Sequence, residues 1–405
     1  MNAPGGAPDV TRLREQAKTG DTAAQFQLGA LLFSGVLVPE DRGAAIEWWE
    51  KAAEGGSADA RFMLGQCFGF GTGRQQDPEQ AFRWYERAAQ AGHPQARLNV
   101  ASMLLSGEGV PKNEAGAFRE LLDAAQEGCE RAAAVLARLY QDGIGTHPDA
   151  GQALRWYRLA AEKESSEAQY ALGQIYLEGK GVERDHSAAA EWFTKAARQG
   201  YALAEFELAK SYLLGRGVGQ DYRRSFDWFS RAAAKGHFPA DYYLALMFAN
   251  GLGVPADPAQ FLQHATKAAE AGLPDAQYLL GCIFYQGSIV ERDLQQAVRW
   301  AAMAANQGSA QAQFLAGLVY LNELQNYDLA FLFNEAAARQ GHAEACFNLG
   351  YQFASGFGVE KDVKRAIQCY RVCLGAARDP GRARLAEQCK QAIETLEEQA
   401  GAAAP

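Results

Sequence analysis

Ala168-Gln169-Tyr170-Ala171-Leu172-Gly173-Gln174-Ile175-Tyr176 is followed by Gly179-Lys180-Gly181-Val182 and Asp185, and then by Ala189-Ala190-Glu191-Trp192-Phe193-Thr194-Lys195-Ala196-Ala197. Apolar residues recur at helical spacing on both sides of a break made of glycines and an aspartate. Working outward from Leu172-Gly173 in steps of 36 residues, the pair returns as Leu136-Ala137, Val100-Ala101, Leu64-Gly65 and Leu28-Gly29, and as Leu208-Ala209, Leu244-Ala245 and Leu280-Gly281. The next step keeps Ala316-Gly317, and a last step of 33 reaches Leu349-Gly350. An alanine four residues before the pair is present all ten times, from Ala24 to Ala345.

Each repeat reads as helix, turn, helix. In the first, Ala24, Leu28, Leu31 and Leu32 form one apolar stripe. A glycine such as Gly35 or Gly179 then ends the helix in the left-handed conformation that a side chain would penalise. Six residues later an Asp or Asn (Asp41, Asn113, Asp185, Asp362) suits the N-cap of a second helix. That helix has its own stripe, as in Ala45, Trp48, Trp49, Ala52 and Ala53. Each helix exposes an apolar stripe that only a neighbour can cover, so the pairs must stack. The fold class predicted is all-α: an α/α superhelical solenoid of about ten two-helix repeats of 36 residues.

These motifs resemble the Sel-one-like repeat, a relative of the tetratricopeptide repeat with a slightly longer turn. The resemblance spans roughly residues 21–377 and implies a protein-binding solenoid. On this reading residues 1–8 are a disordered start, 9–20 an N-terminal capping helix, 21–377 ten repeats, and 378–405 a C-terminal capping helix with a frayed tail. Two departures stand out. The third repeat has Glu120-Leu121 where others favour a tryptophan and a second aromatic, which predicts a softer layer. The ninth lacks its turn glycine and is three residues short, so its loop must take another path.

Composition narrows the function. The chain has 405 residues, is 48% hydrophobic and carries a net charge of −9, with no long run of basic residues. Nucleic acid is therefore excluded as an expected partner. No apolar run is long enough to span a bilayer, and the opening residues lack the pattern of a secretory signal, so a cytoplasmic protein is expected. Seven cysteines without a C-x-x-C pattern read as small core residues rather than a disulfide framework. His93, His237 and His342, each following a repeat-ending glycine, read as solvated turn residues. Gly71-Thr72-Gly73 and Gly179-Lys180-Gly181 lie between helices and lack the spacing of a phosphate loop. No metal-ligand spacing and no nucleophile–base set is found, so the expectation is no enzyme, no metal and no cofactor.

The informative positions are those that the core stripe leaves unclaimed. Two residues before the recurring leucine stand Phe26, Phe62, Leu98, Ala134, Tyr170, Phe206, Tyr242, Tyr278, Phe314 and Phe347, eight of ten aromatic. They are expected on the first-helix face, which lines the concave side of such a solenoid. One reading has them pack against the next first helix; the other has their edges form a binding groove. Tyr170, Phe206, Tyr242, Tyr278 and Phe314 are the candidate anchors, with Tyr285 beside them. Glu167 and Asp275 stand at the rim, together with Arg131, Arg138 and Lys210. An apolar groove with mixed charge fits a protein or peptide ligand better than a polyanion. Family resemblance implies, in bacteria, an immunity-type protein that neutralises a toxic effector, or an adaptor that assembles a signalling or secretion complex.

Overall fold

The structure, a computed structural model, describes residues 10–377 and 379–402. The expected disordered start at 1–8 lies outside the described residues, as do 403–405 of the expected tail. Among the described residues the chain forms 22 α-helices, a short 3-10 turn at Pro380–Arg382, and no strand.

The fifth repeat shows how sequence becomes shape. Its first helix, Ser166–Glu178, ends where Gly179, at φ +74°, donates its N–H to the Ile175 carbonyl. Its second, His186–Arg198, begins at Asp185, whose side chain accepts from the Ser187 and Ala188 amides. The Asp185 N–H returns to the Tyr176 carbonyl at 2.9 Å and closes the turn. The same nine-residue closure joins Asp41 to Leu32, Asp293 to Phe284 and Asp362 to Phe353. In the shortened ninth repeat Asn326 takes the cap, and its N–H reaches the equivalent carbonyl, that of Tyr320, six residues back at 3.0 Å. Gln325, at φ +53°, supplies the left-handed residue that glycine supplies elsewhere. The loop takes its own path, yet the closing bond survives.

The chain divides into two compact bodies, Met1–Ala204 and Glu205–Pro405. In the first, the small residue of each Leu-Gly pair admits a second-helix side chain: Gly29 faces Trp49, Gly65 faces Tyr85 and Gly173 faces Phe193, each ring standing where a Cβ would go. This settles which of two adjacent aromatics points inward. Phe193 is 1% exposed, while Trp192 is only half-buried, with the Lys195 ammonium 3.9 Å from its ring centroid. Leu121, expected to mark a soft layer, is the counterpart of Phe193 and is 1% exposed. Glu120 is no defect either: it meets Arg97 at 3.3 Å, and Glu127 and Asp123 approach the same guanidinium at 3.2 and 3.6 Å. At the start of this body the helix Val10–Lys18 lays Leu13 and Ala17 against Leu28 and Leu32.

The second body is built on the same plan, with Phe229, Leu244 and Met247 fully buried. It ends in the helix Ala383–Ala402, packed on the second helix of the tenth repeat, Val363–Ala376.

Polar side chains are also buried, in a repeating place just after the invariant alanine. Gln169 donates to the Ala161 carbonyl of the preceding repeat at 3.2 Å and accepts from Gln199 of its own repeat at 2.9 Å. Gln277 with Gln307, and Gln313 with Gln340, repeat the arrangement at 2.9 and 2.8 Å. Glu205 and Asp241 occupy the same place as carboxylates, each 0% exposed. Lys235 and Arg231 reach Glu205 at 2.7 and 3.3 Å. Lys267 and His264 reach Asp241 at 3.0 and 2.9 Å. Unpaired, such groups would be costly to bury.

Candidate functional site

Every aromatic chosen from the sequence is half-buried, so packing and exposure coexist in one side chain. In the first body Tyr170 lies 5.8 Å from the Phe193 ring and 5.4 Å from Tyr201, and its hydroxyl accepts from Gln174 at 2.7 Å. In the second body Phe206 meets Phe229, His237 and Tyr243 at 5.6, 4.6 and 5.6 Å, with Lys210 over its other side at 5.2 Å. Tyr242 touches Tyr243; burial pushes its phenol up, and the Asp275 carboxylate adds to the effect. Tyr278 is pushed up to about 12, by burial and then by Cys282. Phe314 stacks on His342 at 4.6 Å, and Tyr285 lies under the Arg292 guanidinium at 5.3 Å. Glu167 and Asp275 are exposed.

One relation orders several of these contacts. The N-cap residue of the next first helix lies over the aromatic: His93 over Phe62 at 4.3 Å, Tyr201 over Tyr170, His237 over Phe206 and His342 over Phe314. The three histidines are therefore not solvated turn residues. They are half-buried against rings, and His93 Nδ1 accepts the Ala96 amide at 3.2 Å. Burial holds all three imidazoles below their usual value, and it outweighs the Asp59, Glu207 and Glu344 carboxylates that pull them, respectively, the other way.

In the middle of the first body both partners in this relation are small. Ala134 stands where eight of the ten repeats carry a ring, and the N-cap beyond it is Ser165. The third repeat adds Leu98 and Leu121, two leucines in ring positions. The result is a cavity of about 300 Å³, floored by Leu98, Leu121 and Val135 and flanked by Arg131, Arg138 and Ser165. A second cavity, of about 320 Å³, shares Ala134, Arg138 and Glu167 with it and reaches Tyr157, Tyr170 and Tyr201. The first lies among three successive first helices, Pro94–Ser106, Glu130–Asp142 and Ser166–Glu178, and the second between the last two of them.

Arg131 and Arg138 are seven residues apart on one helix face and are exposed. Among the described residues neither makes an ion pair, and Glu167 makes none, whereas nearby Arg97 is spent on three carboxylates. An apolar floor under two unspent guanidinium groups can take an apolar side chain and hold a neighbouring carboxylate. The structure thus brings Glu167 and Tyr170 together at one cavity and leaves Phe206, Tyr242, Tyr278, Phe314, Tyr285 and Asp275 in the second body. In the sequence this place is marked only by Ala134 standing among ten positions of which eight are aromatic.

Among the described residues no group of three His, Cys, Asp or Glu side chains could hold a metal ion, and no helix is long and apolar enough to cross a membrane.

The geometry defines a helix-pair solenoid with an unfilled, charged first-helix face. The Sel1 repeat matches ten times, over residues 22–57, 58–93, 94–119, 130–165, 166–201, 202–237, 239–273, 274–309, 310–342 and 343–371. The chain belongs to the Sel1 repeat family, whose solenoids bind other proteins. The third match stops at residue 119, just before Glu120-Leu121. A protective antigen of uropathogenic Escherichia coli strains, with an SLR fold, is 30% identical; the match covers 96% of this chain and 91% of that one at a TM-score of 0.80. A Sel1 repeat protein from Oxalobacter formigenes is 27% identical, over 60% of this chain and 96% of that one, at 0.54. The immunity protein Pa5087 from Pseudomonas aeruginosa is 25% identical over 52% and 82%, at 0.33, a likeness too loose to argue from. No curated protein matches the chain.

Proposed function

We propose that this protein is a non-catalytic capture protein which neutralises a toxic effector by binding one of its surface segments, the Ala134 cavity taking an apolar side chain and Arg131 with Arg138 holding an adjacent carboxylate. The observation that carries the reading is the unfilled cavity itself. The cavity opens to the surface beside two exposed cations, and among the described residues neither makes an ion pair. The aromatics of the second body, Phe206, Tyr242, Tyr278, Phe314 and Tyr285, offer ring edges of the same chemical kind, and Asp275 a rim charge.

Affinity capture from the source organism with the wild-type chain and with Ala134→Phe tests the binding. A partner retained by the first and lost by the second is the expected result, and equal retention refutes the cavity. Co-expression then tests the role. Growth arrested by the partner alone and restored by this chain fits neutralisation. A harmless partner points instead to an adaptor, which the family resemblance also implies.

A further inference from the structure

Four of the seven cysteines, Cys346, Cys369, Cys373 and Cys389, fall within the tenth repeat and the terminal helix that covers it. Cys373 replaces the first of the paired alanines that other repeats bury there; its counterpart Ala196 is 0% exposed, and so is Cys373. An alanine suffices where the next element is another first helix. Here the next element is the terminal helix Ala383–Ala402, and it answers with Cys389, also 0% exposed. The Cys389 thiol donates to Cys373 Sγ at 2.9 Å, against about 2.05 Å for a sulfur–sulfur bond. The packing of the two helices therefore holds the sulfurs close to bonding distance.

We propose that Cys373 and Cys389 form a disulfide that fastens the terminal helix to the tenth repeat when the protein meets an oxidant of the small-molecule disulfide class. The reaction is two successive thiol–disulfide exchanges. One of the two cysteines, as thiolate, attacks a sulfur of the oxidant, forming a mixed disulfide and expelling one thiolate. The other cysteine then attacks the protein sulfur of that mixed disulfide, forming the Cys373–Cys389 bond and expelling the second. The two cysteines lose two electrons and two protons, and the oxidant leaves as two thiols carrying them.

In the closed state neither sulfur can begin this. Burial pushes the Cys373 thiol well above the usual thiol range, with Cys389 adding to the rise, and burial raises Cys389 too. Both are protonated and covered, so reaction passes through a state in which the terminal helix has lifted, and reclosing aligns the pair. Oxidation therefore proceeds no faster than that opening, and the bond, once made, abolishes it.

Trypsin cuts so that all four cysteines fall on separate peptides, with Cys373 in 372–378 and Cys389 in 385–390. The full chain is incubated with oxidised glutathione, residual thiols are alkylated in denaturant, and the digest is mapped without reductant. The expected product is 372–378 joined to 385–390, two hydrogens lighter than the free peptides together and separated again by reductant. Amide exchange across 385–399 should slow roughly a hundredfold in the oxidised protein, the scale of a loop this short. Cys346→Ser should leave both results intact, and Cys389→Ala should abolish both. The proposal is overturned if both thiols remain alkylatable after the terminal helix has exchanged its amides. Linkage to Cys346 or Cys369 overturns it as well, and so does glutathione retained on Cys373 without a link.

Discussion

At Ala134 the overlying N-cap residue is Ser165; at Phe206 it is His237. The two places are equivalent in the repeat and opposite in content. In the second body a ring and an imidazole fill the space between successive first helices, 4.6 Å apart. In the first body an alanine and a serine leave it open, with two arginines unspent at its edge. The helix-turn-helix plan is the same in both, although Ser165 accepts the Ala168 amide and His237 makes no such cap bond. Function in this fold is thus written by which side chains are withheld as much as by which are supplied. A repeat can give up its ring only if the rest of its layer holds without it, and the third repeat does so with buried Leu121 and the carboxylates around Arg97.

The largest effect tests that last point. Leu121→Ala should cost about 3 kcal/mol in urea unfolding, as for other fully buried leucines. Trp192→Ala should cost about half as much, because the indole is only partly buried. The opposite ranking would return Trp192 to the core and make the third repeat the soft layer that its sequence suggested. Next comes a reciprocal pair. Phe206→Ala, which empties a filled position, should cost about 2 kcal/mol. Ala134→Phe, which fills an empty one, should change stability by less than about 1 kcal/mol while abolishing capture. Equal losses would mean that the cavity has no room for a ring and that the two regions are alike.

The histidines give a smaller contrast. Each has a folded-state value below that of the unfolded chain, so the unfolded chain binds the proton first as pH falls. Their contribution is whole above about pH 6.5 and is lost as pH drops through the lowered folded values. A protonated His93 Nδ1 could no longer accept the Ala96 amide, and a cation at a helix N-terminus is disfavoured. The melting temperature should fall between pH 7.5 and 5. His237→Asn with His342→Asn should flatten that fall more than His93→Asn alone, since two of the three caps lie in the second body. The smallest effect is expected from Arg138→Ala: a stability change within about 0.5 kcal/mol, because no ion pair is broken, accompanied by a roughly tenfold loss of partner binding. A marked loss of stability would show that this arginine serves the fold.

How much of this was legible in the sequence follows from what periodicity can carry. The 36-residue step, the αL glycines and the Asp caps recur in phase, so ten weak signals add up, and helix bounds and turn chemistry were readable from Leu28 to Asp362. Phase alone could not rank Trp192 against Phe193, because neighbours on a helix differ by only 100° and both flank the buried stripe. Gly173, which faces Phe193, is the residue that decides. The histidines were misread because the first-helix cap varies (Asp21, Ser57, His93, Ser165) while the second-helix cap is nearly constant. The cavity was hidden for a further reason. A space is a joint absence, here of any ring at 98, 121, 134 and 165, and a search for conspicuous residues passes over all four.

The buried polar places carry a consequence for how such an array can grow or shrink. Gln169 with Gln199, Glu205 with Lys235 and Asp241 with Lys267 each draw both members from a single repeat, one from either helix. A recombination joint falling between repeats therefore keeps each side-chain pair intact, and asks of the new neighbour only a backbone carbonyl such as that of Ala161. A joint falling inside a repeat strands a carboxylate or an amide in a dry interior. Lineages of such arrays should accordingly gain and lose helices two at a time. The three-residue shortening of the ninth repeat shows where trimming is tolerated: in the turn, which the Asn326 cap still closes.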